Sequence, residues 1–193
     1  MRLLSVFLGI LILSGNSSCK KGEGDPAFTF KSRHKRMSGD WKIKEGLTSV
    51  SFKNQQTVLN VTTYSFTANE YQIAVVGKGT IKEAHTLYLS IGAEDDFEMT
   101  ENFGQVTKKL KGHWDFLGKR DDFKNKERIL FNLQSESSNP GSYIYFNKGL
   151  NAFTFAIEAL GNKEELILRT DEELLAATAD GEIYLSSRYV FSR

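Results

Sequence analysis

The chain has 193 residues, 40% hydrophobic and 12% aromatic, which is enough to bury a core in one domain. Lys and Arg number 25 against 24 Asp and Glu, so the near-neutral charge gives no electrostatic case for nucleic acid. A single cysteine, Cys19, excludes an internal disulfide framework, and two prolines are few for a disordered chain.

Residues 1–18 read as an export signal. Arg2 supplies the charged end, residues 3–13 (LLSVFLGILIL) an apolar run too short to span a bilayer, and SGNSS a small polar segment before Cys19. A plain secretory signal cut near residues 15–17 satisfies that pattern. The segment with Ser17 and Ser18 ahead of Cys19 also resembles the lipobox of a bacterial lipoprotein, departing from it at Asn16. That resemblance implies lipidation of Cys19 by a diacylglyceryl group and an N-acyl chain such as palmitate, and so a membrane as partner. More than one acyl chain is what durable anchoring requires, and a lone exported thiol left free would be a liability. Residues 19–36 are then a flexible tether, polar and basic, interrupted by Gly22, Gly24 and Pro26. Its cations are placed to touch anionic headgroups or to form a solvated linker.

From residue 37 onward the dominant period is two, the mark of antiparallel strands with one wet face. Trp41, Ile43 and Leu47 share a face. Residues 59–66 and 71–76 follow as strands, and Gly77-Lys78-Gly79 is a hairpin turn rather than a phosphate loop, since the glycine spacing and the following helix are missing. Ile81, Leu87, Leu89 and Ile91 line up next. The acidic run EDDFEMTE, residues 94–101, reads as a solvated loop, because a calcium loop needs a glycine it lacks. Val106, Leu110, Trp114 and Phe116 alternate with Lys109, Lys111, His113 and Asp115. Then come Ile129, Phe131 and Leu133; residues 143–146 after Asn139-Pro140-Gly141; Phe153, Phe155, Ile157 and Ala159; and residues 166–170. TDEELLAATADG, residues 170–181, has a capping box in Thr170 and Glu173 with Gly181 as a stop, so a short helix competes there with another strand. Residues 182–191 close the series. About eight to ten short strands with hairpin spacing predict an all-β fold, a closed antiparallel meander barrel or a sandwich.

Both tryptophans of the chain sit in Gly-x-Trp, as SGDWKIKE with Gly39 and Trp41 and as KGHWDF with Gly112 and Trp114. The first resembles the lipocalin signature. The whole pattern of leader, cysteine, tether, early Gly-x-Trp strand and later G-x-W-x-F strand resembles the lipocalin-like lipoproteins of the Bacteroidota cell envelope. Over residues 37–193 this implies a lipocalin-like β-barrel closed at one end by an indole, with glycine leaving room for a neighbouring backbone. It also implies an arginine from the last strand over Trp41, for which Arg188 is the first candidate and Arg169 the second.

No catalytic constellation, metal-ligand spacing or cofactor motif is present, and the chain is expected not to be an enzyme. His34 falls in the tether, His113 opposes Trp114, and His85 shares parity with Leu87 and Leu89. His85 is either a satisfied core histidine or, beside Glu83, a polar feature of a cavity. The expected function is a lipid-anchored cell-envelope protein, on the outer membrane and facing the periplasm since Lys20-Lys21 rather than acid follows Cys19. Its barrel would bind a small apolar or amphipathic ligand on Ile43, Leu87, Leu89, Phe131, Phe153, Phe155 and Ile157. The alternative is a non-enzymatic protein-interaction or envelope-assembly module with a filled barrel, for which Tyr143, Tyr145 and Phe146 are candidates.

Overall fold

Alternation of apolar and polar side chains over strand-length runs commits the chain to sheets with one buried face, and closing such a sheet on itself removes its edges. The computed structural model describes residues 33–54, 57–117, 127–136, 152–160 and 164–193. A short helix, α1 (Arg33–Met37), precedes ten strands: β1 (Gly39–Lys53), β2 (Val58–Thr67), β3 (Glu70–Val75), β4 (Gly79–Ile91), β5 (Asp96–Phe103), β6 (Val106–Leu117), β7 (Arg128–Glu136), β8 (Ala152–Leu160), β9 (Glu165–Thr178) and β10 (Gly181–Ser192). Every ladder is antiparallel, and neighbours in sequence pair in space, with β10 returning to β1. The protein is an all-β, closed meander barrel of ten strands, of the lipocalin-like kind. The leader, Cys19, most of the tether, and the candidates Tyr143, Tyr145 and Phe146 lie outside the described residues.

The two ends of the barrel are built differently. At the lower end β1 pairs directly with β4, from Gly39↔Ile91 to Lys42↔Tyr88. Higher up, the β2–β3 hairpin is inserted between them, with Glu45↔Thr67 on one side and Glu70↔Ala84 on the other. The lower ring is therefore narrower and fills with large side chains. Trp41, Trp114, Phe131, Phe155, Phe191, Met37, Ile43, Leu87 and Leu89 are all fully buried there or just above.

Three expectations are corrected. The capping-box segment 170–181 is not a helix: β9 runs on to Thr178 and turns into β10 at Gly181, whose φ of 152° suits glycine. Residues 181–187 of β10 partner this stretch, and sheet pairing overrides local helix preference. Thr170 is no cap; its Oγ1 accepts the backbone N–H of Ser187 at 2.8 Å. The acidic run is a loop only to Asp95. From Asp96 it is β5, with Phe97, Met99 and Glu101 directed inward. Finally, Leu47 does not share a face with Trp41 and Ile43. A bulge between Ile43 and Glu45 flips the parity, so Gly46 and Thr48 point inward and Leu47 is 48% exposed.

Candidate functional site

The lower end is sealed. Residues 33–36, expected as the end of a linker, belong to α1 and lie against the barrel floor, with Arg36 and Met37 buried. Trp41 is 1% exposed and donates its indole N–H to the Met37 carbonyl at 2.8 Å, while Trp114 donates to the Gly92 carbonyl at 3.3 Å. His34 packs on Trp114 with ring centroids 4.6 Å apart and bonds Asp95 at 2.8 Å. The cation over Trp41 is Arg193, at 4.6 Å, and the same guanidinium donates to the carbonyls of Arg36 and Ser38. The expected partner, Arg188, instead meets Glu158 at 3.0 Å and Glu45 at 3.9 Å on the outer face. Its neighbours Ser187 and Tyr189 point inward, so strand parity turns Arg188 outward. Arg169 is directly opposite Arg188 in the ladder and likewise off the interior face. Gly39 abuts Arg193, and Gly112 sits where a side chain would strike the Asn132 carbonyl.

The residues expected to line a ligand cavity are brought together, but as packing. Ile43, Leu87, Leu89, Phe131, Phe155 and Ile157 are buried, and Phe153 is half-buried. Phe131 has Phe97, Phe153 and Phe155 around it at 4.9, 5.3 and 6.3 Å. These aromatic contacts form the solid lower core.

Above this core the interior turns polar. On the β1, β9 and β10 wall, Thr48 bonds Tyr189 Oη at 2.5 Å and Ser187 Oγ at 3.1 Å. Gly46 faces Tyr189 in the ladder, and a Cβ there would come within 2.8 Å of the phenol ring, so glycine makes room for it. Burial drives the Tyr189 hydroxyl far above its ordinary pKa. Phe66 bridges to the opposite wall, 6.3 Å from Tyr189 and 5.1 Å from His85.

On that opposite wall, β4 and β5 present His85 and Glu101, with Nε2 and Oε1 2.8 Å apart and side-chain exposures of 0% and 1%. Glu101 faces Lys108 of β6 in the ladder, and Lys108 is itself buried and 5.8 Å from the Phe103 ring. Phe66, Tyr71 and Phe103 enclose the imidazole at 5.1, 6.1 and 4.8 Å. Burial raises the Glu101 pKa; the His85 hydrogen bond and charge, and then Lys108, oppose that rise. Burial, with Tyr64, Glu83 and Glu101 nearby, pushes Tyr71 up to about 12. His85 Nδ1 and Glu101 Oε2 are buried without a hydrogen-bond partner among the described residues.

His85 thus points inward as its parity predicts, but its carboxylate is Glu101, not Glu83, which is exposed. Glu101 escapes sequence reading because it ends an acidic run. The signal lay in the Phe97, Met99, Glu101, Phe103 spacing. Higher still, Tyr64, Ile73 and Phe103 are half-buried around the upper interior. Among the described residues no group of three His, Cys, Asp or Glu is placed to hold a metal ion, and no helix is long and apolar enough to cross a membrane.

No protein-family model matches the chain, and no curated protein matches it. A solved structure of an uncharacterized protein from Bacteroides eggerthii matches over 81% of this chain and 98% of that one, at 12% identity and a TM-score of 0.27.

Proposed function

We propose that this chain is a non-enzymatic ligand carrier, held at the cell envelope through a lipidated Cys19, whose barrel takes one small amphipathic molecule in its upper half. The observation that carries the ligand reading is the buried polar layer. A barrel that needed only a core would gain nothing from an imidazole, a carboxylate and an ammonium inside it, because burying charge is costly unless it is fully compensated. Here two of those polar atoms lack partners among the described residues, and half-buried apolar side chains stand above them. The seven residues first expected to line a cavity become its floor rather than its wall. Support for the anchor is the sequence before and at Cys19; support for a periplasm-facing outer-membrane location is the basic start of the tether.

Native mass spectrometry of the purified full-length chain, followed by organic extraction, tests this. A co-purifying amphiphile released on unfolding is expected. A homogeneous ligand-free chain that also binds no amphiphilic probe would overturn the reading.

A second reading has its own observation. Val58, Leu59 and Val61 on β2 and Leu174 and Leu175 on β9 are exposed around the upper strands flanking β1 and β10. Apolar exposure of that kind favours a protein-interaction module. In that case the mass spectrum contains a protein partner and no small molecule.

A further inference from the structure

We propose that His85 and Glu101 form the seat for the polar end of the ligand, and that this end is a hydrogen-bond donor, a hydroxyl or an amine, rather than a carboxylate. This deepens the carrier reading and rests on it. The argument begins with which lone pairs are spoken for. A carboxylate has two oxygens and only accepts, and an imidazole that donates from Nε2 keeps an accepting lone pair on Nδ1. The Nε2–Oε1 contact at 2.8 Å uses one nitrogen and one oxygen. What remains is Nδ1 and Oε2, both buried and without a partner among the described residues. Oε2 is an acceptor, and so is Nδ1 when the ring carries its single proton on Nε2, so this interior layer selects a molecule that brings hydrogens. A carboxylate head would set a second anion against Glu101, whereas a hydroxyl or ammonium complements it.

The position of the pair fixes the orientation. The interior below it is filled by Leu87, Leu89, Met99 and Leu110, each buried to within 1% of zero exposure. The apolar part of the ligand therefore lies upward, along Tyr64, Ile73 and Phe103, which are only half-buried. Of the three rings around His85, Phe103 is the half-exposed one, so its rotation is the least costly way to open the seat. Lys108, opposite Glu101 in the ladder, offsets part of the carboxylate's charge, so hydrogen bonding to Oε2 and the repulsion of a second anion act together in choosing the head group.

The test is a head-group series on the unaltered full-length chain: dodecanol, dodecylamine and dodecanoate, titrated by displacement of an environment-sensitive fluorophore. Dodecanol and dodecylamine are expected to bind about tenfold or more tighter than dodecanoate, as a hydrogen bond to a charged acceptor allows. In Glu101→Gln that preference collapses while the chain tail still binds. Equal affinity for all three heads, or tighter dodecanoate, overturns the seat and leaves the carrier reading standing. A preference that survives in a folded Glu101→Gln overturns it as well. Failure of every probe to bind overturns both. The series on the unaltered chain decides the matter even if the variant does not fold.

Discussion

Replacing His85 alone, Glu101 alone and both together by leucine tests whether the buried pair is a stabilising feature or a tolerated cost. Both side chains are essentially inaccessible and 2.8 Å apart. His85→Leu leaves a carboxylate among the rings of Phe66, Tyr71 and Phe103 with only the cross-strand charge of Lys108 to offset it. Removing one partner of a buried pair costs about 3–5 kcal/mol, and the nearby ammonium places the expected loss at about 3 kcal/mol. Glu101→Leu leaves the imidazole short of one hydrogen bond, a loss of about 1–3 kcal/mol. The double replacement removes both desolvated groups of the pair but takes the cross-strand carboxylate away from the buried Lys108, so it is expected to fall within about 1 kcal/mol of the unaltered chain. The three variants should therefore be strongly non-additive, by roughly 3 kcal/mol or more. Urea unfolding followed by tryptophan emission measures this, since Trp41 and Trp114 are both buried at the lower end and report loss of the whole barrel. A double variant whose loss equals the sum of the singles would refute the reasoning, because the pair would then be neither coupled nor a net cost.

Three further outcomes follow from the same geometry. Burial holds Glu101 above its ordinary 4.5, so its contribution to stability is full below that pH and is lost as pH rises through the higher folded value; Glu101→Gln should lack this decline and be the more stable at neutral pH, read from paired urea titrations across the acidic range. Gly112→Ala drives a Cβ into the Asn132 carbonyl, a backbone group that cannot swing aside, and should cost about 2 kcal/mol or more and lower the melting temperature. Arg193→Ala removes the cation over Trp41 and the bonds to the carbonyls of Arg36 and Ser38, for a loss of about 1–2 kcal/mol and a red shift of tryptophan emission, whereas Arg188→Ala should leave the emission unchanged.

Most of the wall was legible because period-two alternation translates directly into faces. Leu87, Leu89, Phe131, Phe155 and Ile157 all point where their parity places them. What parity cannot carry is a bulge, since one extra residue inverts every later side chain on that strand. Ile43 and Leu47 look equivalent in sequence and end on opposite faces for that reason. Arg193 was missed for a different reason. Its role follows from register: Ser192 faces Lys42, which puts the residue after it beside Trp41, and register is a tertiary property. Glu101 was hidden by composition, because acidic neighbours give a loop signature that a buried strand can share. Over 170–181 the sequence leaves helix and strand in competition, and pairing with β10 decides for the strand.

The two polar clusters inside the barrel are not alike, and the difference says which one does work beyond holding the fold. Tyr189 is accommodated: a glycine clears space for its ring, Thr48 meets its hydroxyl, and Ser187 and Thr170 complete the wall with bonds of 3.1 and 2.8 Å. A fully bonded buried network of neutral groups stabilises a unique core and asks for nothing else. His85 and Glu101 are arranged on the same level with charge, with aromatic rings around them, and with one acceptor each left over. Had this second cluster served only the fold, it could have been completed as the first one is, by hydroxyls within reach, or replaced by the leucines that fill the interior just below. An incomplete, desolvated pair beneath partly exposed rings is instead the arrangement that supports the proposed ligand seat.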